Sequence, residues 1–207
     1  MRYNSSELVF IMGLKMHLMF KSFIAALMLS VVSQVSATGF EFRVAQETAE
    51  VSYLYKSSTF GYGGSDVAWS YLFNENKDKM LSGSFLISGN GAGSKRALQF
   101  GVGVKAFAAD IGGVADVQGG GLGIGGLLRY VFSSATPVAL LVEAYTVPEI
   151  TSFGDTNNFS EARFALELEV SPSARAYIGY KTVSFEDDTK TEYEVDDSAH
   201  FGVRLSF

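Results

Sequence analysis

The sequence predicts an all-β protein: a transmembrane, antiparallel up-and-down β-barrel of ten strands, with eight strands as the alternative. Three observations predict it. Apolar and polar residues alternate with period two along most of the chain after residue 37, as strands with unlike faces do. The polar face collects charges of both signs in equal number, while the apolar face carries almost none. The last segment, His200-Phe201-Gly202-Val203-Arg204-Leu205-Ser206-Phe207, alternates and finishes on an aromatic residue.

The first segment is expected to be an export signal. Lys15, His17 and Lys21 precede an apolar run from Phe23 to Val32, and Val35-Ser36-Ala37 presents small residues for a signal peptidase. The run is broken by Ser30 and falls short of the about 20 apolar residues that a membrane helix needs. Residues 1–37 are therefore expected to be removed, with initiation at Met16 or Met19 giving a signal of more usual length, and 38–207 to form the barrel. Three of the 16 bases (Arg2, Lys15, Lys21) and one of the 22 acids (Glu7) precede Thr38, so the remainder carries 13 minus 21, or −8.

Strands are expected at 39–45, 49–55, 64–73, 79–89, 96–107, 119–132, 137–146, 160–170, 174–185 and 198–207. Val67, Trp69, Tyr71 and Phe73 share one face of the third, Phe100, Val102 and Val104 one face of the fifth, and Phe164, Leu166 and Leu168 one face of the eighth. The breaks carry turn residues, as in Asn74-Glu75-Asn76-Lys77-Asp78 and Ser171-Pro172-Ser173. Pro137 and Pro172 fall at a strand start and in a turn, where no ladder donor is lost. Counted back from the last strand, connections alternate between long (186–197, 147–159, 108–118) and short (171–173, 133–136, 90–95), the outer-membrane pattern. Termini on one side require an even strand number, which favours accepting 39–45 as a strand.

The polar face holds Glu41, Glu50, Asp66, Glu143, Glu161, Glu167 and Glu169 against Arg43, Lys105, Arg129, Arg163, Arg175, Lys181 and Arg204. Equal numbers suit a narrow interior, where an unpaired charge is costly. Tyr71, Phe73, Tyr130, Phe132 and Phe207 sit near strand ends on the other face, as an aromatic girdle does. The closing strand, through Gly202, Leu205 and Phe207, reads as an assembly signal for the outer-membrane insertion machinery, which would recognise it by strand addition.

The glycine-rich strand from Gly119 to Gly126, the segments Val142-Glu143-Ala144-Tyr145-Thr146-Val147-Pro148-Glu149 and Tyr177-Ile178-Gly179-Tyr180-Lys181, and the final Gly202 to Phe207 resemble the YfaZ-type outer-membrane proteins of Gram-negative bacteria. The sequence departs from them in its N-terminal extension and loop composition. The resemblance implies an outer-membrane barrel and carries over no activity and no catalytic residue.

Three features bear on chemistry. Gly121, Gly123 and Gly126 satisfy G-x-G-x-x-G, but the segment continues as strand where a dinucleotide site needs a helix. Gly121, Gly123 and Gly125 on this strand, with Gly101 and Gly103 on the one before it, are expected to line the inside of the wall and admit side chains from the opposite wall. His200, the only histidine after residue 37, would need a nucleophile beside it to act as a base, and a structural role is expected. Asp187, Asp188, Glu192, Glu194, Asp196 and Asp197 suggest an external loop able to meet divalent cations, yet the spacing is not that of an EF-hand.

No cysteine is present, which excludes disulfides and thiolate metal sites, and the net charge of −6 argues against nucleic acid. The expected function is a small, monomeric outer-membrane barrel without enzymatic activity, cofactor or metal, in contact with the lipid bilayer and lipopolysaccharide. Its interior admits a narrow pore or a solid plug of ion pairs. An outer-membrane lipid hydrolase and a soluble periplasmic β-barrel binding protein are the alternatives.

Overall fold

The computed structural model describes residues 37–58, 63–91, 97–112, 117–133, 137–187 and 189–207, so the expected export signal, except Ala37, lies outside the described residues. The described residues form strands β1 (Ala37–Ala45), β2 (Thr48–Ser57), β3 (Ser65–Asn74), β4 (Lys79–Asn90), β5 (Leu98–Ile111) and β6 (Val117–Val131). They continue as β7 (Val138–Val147), the short β8 (Ser152–Gly154), β9 (Thr156–Ser171), β10 (Ala174–Asp187) and β11 (Glu192–Ser206). The only helical element among them is one 3-10 turn, Glu149–Thr151.

Ten of these strands pair with their neighbours in antiparallel order, and β1 pairs with β11, Phe42 opposite Val203, to close a barrel. The ten-strand expectation holds and the eight-strand alternative falls. β8 stands outside that count: it pairs only with Gly119 to Gly121 of β6, above the point where β7 ends. Both described termini lie at one end, since the Thr38 and Phe207 backbones bond to each other.

Side-chain direction follows the alternation. Phe40, Phe42, Phe100, Val102, Phe164, Leu166, Ile178 and Phe201 face outward, and Trp69 lies half-buried across Gly83 on the same surface. On β5 the outward apolar positions run from Leu98 to Ala106, and on β9 from Ala162 to Val170. At about 3.3 Å per residue and a tilt of about 45°, such a run rises roughly 20 Å, close to the about 25 Å band of a membrane barrel. Tyr71, Phe73, Tyr130, Phe132 and Phe207 are all exposed near strand ends.

Toward the end remote from the termini the pattern inverts. The outer face becomes polar, with Thr182, Ser184 and Glu186 on β10 and Ser160 and Asn158 on β9. Inside, Leu72, Met80, Phe107, Ile111, Val147, Phe159, Val183, Phe185 and Val195 form one buried apolar cluster. This corrects the expected loops. The segments 108–118, 147–159 and 186–197 are mostly strand, because an apolar interior gives the projecting ladders something to pack on. Connections at the two ends are consequently of similar length, and the alternation lies in how far the strands project.

Inward glycines of β6 make room for side chains of the adjacent β7, and not, as expected, for side chains of the opposite wall. Gly121 and Gly123 lie under Val147 and Gly125 under the Tyr145 ring. A Cβ at Gly125 would collide with the Ala144 carbonyl as well as that ring, whereas at Gly101 it would make only ordinary contacts. Gly125→Val is therefore expected to cost about 1–3 kcal/mol and Gly101→Ala to be near neutral, checked by urea unfolding of the refolded barrel.

Candidate functional site

The interior below the apolar cluster is built from ion pairs that cross the lumen in two connected chains. Nearest the cluster, Arg43 holds Asp196 at 2.7 Å and Glu50 at 2.9 Å. Lys181 joins Glu50 at 2.8 Å to Glu161 at 3.1 Å, and Glu161 also meets Lys105. Thr48 donates to Asp196 at 3.0 Å. Nearer the termini, Glu41 accepts from Arg163 at 2.6 Å, from Arg204 Nε at 2.7 Å and from the Tyr177 hydroxyl at 2.8 Å. Glu167 receives Arg204 at 3.3 Å and Arg129 at 2.6 Å, and Arg129 also donates to Gln99 at 3.1 Å.

These bonds exist because inward residues of strands far apart in sequence meet across a narrow wall. Arg43 and Lys181 are each 2% exposed, so neither charge has water to fall back on. Most of the charged residues expected on the polar face meet in these chains, with four refinements. Asp66 pairs with Lys56 at 3.2 Å at the rim, and Ser88 also donates to it. Arg175 and Glu169 meet loosely at 3.5 Å, both partly exposed. Glu143 forms no ion pair among the described residues.

Asp196 is the fourth refinement and a correction, since it belongs to the interior and not to an external loop. A bulge opposite Val183 and Ser184 turns both Val195 and Asp196 inward, the first into the apolar cluster and the second onto Arg43. The other loop acids are also dispersed. Asp187 accepts from the Thr189 hydroxyl and the Thr189 and Thr191 amides, which hold its carboxyl below the usual range. Glu192, Glu194 and Asp197 are exposed, with Tyr180 donating to Asp197, and Asp188 lies outside the described residues. No group of three potential metal ligands occurs among the described residues.

His200 is 4% exposed and sits edge-on to the Tyr177 ring at 5.8 Å. Among the described residues neither ring nitrogen has a hydrogen-bond partner, so no serine or carboxylate there is positioned on it. Ser198 spends its hydroxyl on Asp196. The G-x-G-x-x-G segment runs through β6 as strand with no helix behind it.

A cavity of about 320 Å³ penetrates from the end carrying the termini. Its rim includes Lys56, Asp66, Gln99 and Arg175, and its depth reaches Glu50, Lys105 and Glu161. It is a blind vestibule, because the next inward positions beyond Lys105, Glu161 and Lys181 are Phe107, Phe159 and Val183 of the apolar cluster. Sequence reasoning missed that closure. Its signal was present in the polar face of β5, β9 and β10 turning apolar at those positions.

Comparisons with curated proteins and with solved structures gave no match. A family model does match, described as YfaZ precursor and spanning residues 18–207, so the closed ten-strand barrel belongs to the YfaZ precursor family.

Proposed function

We propose that the chain is an exported outer-membrane barrel that seals its own lumen, serving as a structural or surface element of the envelope and not as an enzyme or open pore. One observation carries the reading: an apolar outer band surrounds an ion-paired interior, and beyond the band the polarity of both faces reverses. A wall with that order suits lipid around its middle and water around its projecting end. The precursor family fits export, and the outward closing strand from Phe201 to Phe207 fits recognition by the insertion machinery. His200, whose nitrogens meet no partner among the described residues, supports a structural role over hydrolysis.

Trp69 is the only tryptophan and faces outward within the band, so it reports the surrounding medium. In vesicles carrying brominated acyl chains its fluorescence is expected to be strongly quenched, and cell fractionation should place the protein with the outer membrane. Unheated samples should migrate as a compact species on gels, and planar bilayers should show no stepwise conductance. A protein recovered from the periplasm without lipid, its Trp69 untouched by brominated chains, would support the soluble binding-protein alternative instead.

A further inference from the structure

Two ions that line the vestibule lack the close partnership of the rest. Glu143 on β7 stands directly opposite Arg163 in the β7–β9 ladder. Arg163 turns away from it, reaching Glu41 across the lumen at 2.6 Å with its guanidinium over the Tyr177 ring at 4.7 Å. Lys105, also close enough to act on Glu143, is bonded to Glu161. The other carboxylates lining the vestibule, Glu41, Glu50, Asp66 and Glu161, each touch a cation. Among the described residues, Glu143 alone is left half-buried without one.

The complementary imbalance lies on β10. Arg175 is paired in register with Arg204 of β11, and like charges directly opposite on adjacent strands repel. Arg204 offsets this with Glu41 and Glu167, whereas Arg175 has only the 3.5 Å contact with Glu169. A guanidinium carries five N–H donors, so Arg175 retains capacity for an anion.

We propose that the vestibule binds a small zwitterion, with its ammonium on Glu143 and its phosphate or carboxylate on Arg175 and Arg204. Elsewhere the interior ions balance, so a lone cation or anion would add net charge to a poorly solvated space, while a zwitterion adds none. About 320 Å³ lies at the small end of ligand sites, which run from about 300 to 1,000 Å³. Leu127 and Leu141 supply an apolar wall for the carbon skeleton. Free zwitterions and the headgroup of an ethanolamine lipid share this chemistry. The proposal needs the open vestibule but not the membrane location.

Isothermal titration of the refolded barrel in a non-ionic detergent tests it, with glycerophosphoethanolamine and dihexanoyl-phosphatidylethanolamine, both net-neutral phosphodiesters, as probes. Ethanolamine and inorganic phosphate, each carrying charge of one sign only, are the controls. Binding of either zwitterion, weakened about tenfold or more by Glu143→Gln and by Arg175→Gln, is expected. Binding of the lipid alone would assign a headgroup source, and binding of both a site open to free solutes. No binding of either probe, equal binding of phosphate alone, or unchanged binding by Glu143→Gln would overturn the proposal. The compact gel band of each variant first establishes that it is folded, and Trp69 quenching tests the membrane reading separately.

Discussion

Glu41→Ala is expected to destabilise the barrel by about 3–5 kcal/mol, the cost of removing one member from a buried ionic cluster. The carboxylate is 4% exposed and, among the described residues, is the single anion in contact with Arg163. Its loss strands that guanidinium and the Tyr177 hydroxyl together, while Arg204 keeps only Glu167 at 3.3 Å. Position matters as much as pairing. Glu41 lies on β1 and binds side chains of β9, β10 and β11, so it ties down the seam where the first and last strands meet. That seam completes the cylinder, and weakening it exposes strand edges. Urea unfolding and the temperature at which the compact gel band disappears would measure the effect. Glu41→Ala combined with Arg163→Met should recover much of the loss, since removing both charges leaves nothing stranded. A single variant within about 1 kcal/mol of the parent would show that closure does not depend on this cluster.

The barrel was legible because a period of two assigns each residue to a face before any partner is known. Phe100 and Leu166 lie outward, and Lys105 and Glu167 inward, as their alternation required. Strand ends agree within a few residues where turn chemistry is sharp, as at Ser171-Pro172-Ser173. Pairing across the lumen was not legible, because it depends on how strands are staggered around the closed wall. Arg163 illustrates this, with Glu143 opposite it in the ladder and Glu41 bound to it. The acid-rich segment after Asp187 misled for a related reason. A run of carboxylates resembles a solvated loop until one bulge turns Asp196 toward a buried arginine.

Phe159→Ala is the second substitution expected to act strongly, both on stability and on access to the interior. Its ring stacks on Phe107 with centroids 4.2 Å apart and meets Phe185 edge-on at 5.1 Å. A hydrogen-bonded ladder cannot shrink to refill the space, so the cavity should persist and cost about 3–5 kcal/mol. The native chain has no cysteine, which makes a single Val183→Cys a clean reporter, since Val183 is 0% exposed in the same cluster. With Phe159 intact, that thiol should resist a membrane-impermeant maleimide, and with Phe159→Ala it should react at least about tenfold faster. Conductance should nevertheless stay absent in both proteins. The layer of Arg43, Glu50, Lys181, Glu161 and Lys105 still spans the lumen one inward position below, and its charges already satisfy one another. Equal labelling in the two backgrounds would mean that water already reaches the cluster, whereas current through the Phe159→Ala barrel would locate the seal in the aromatic rings alone.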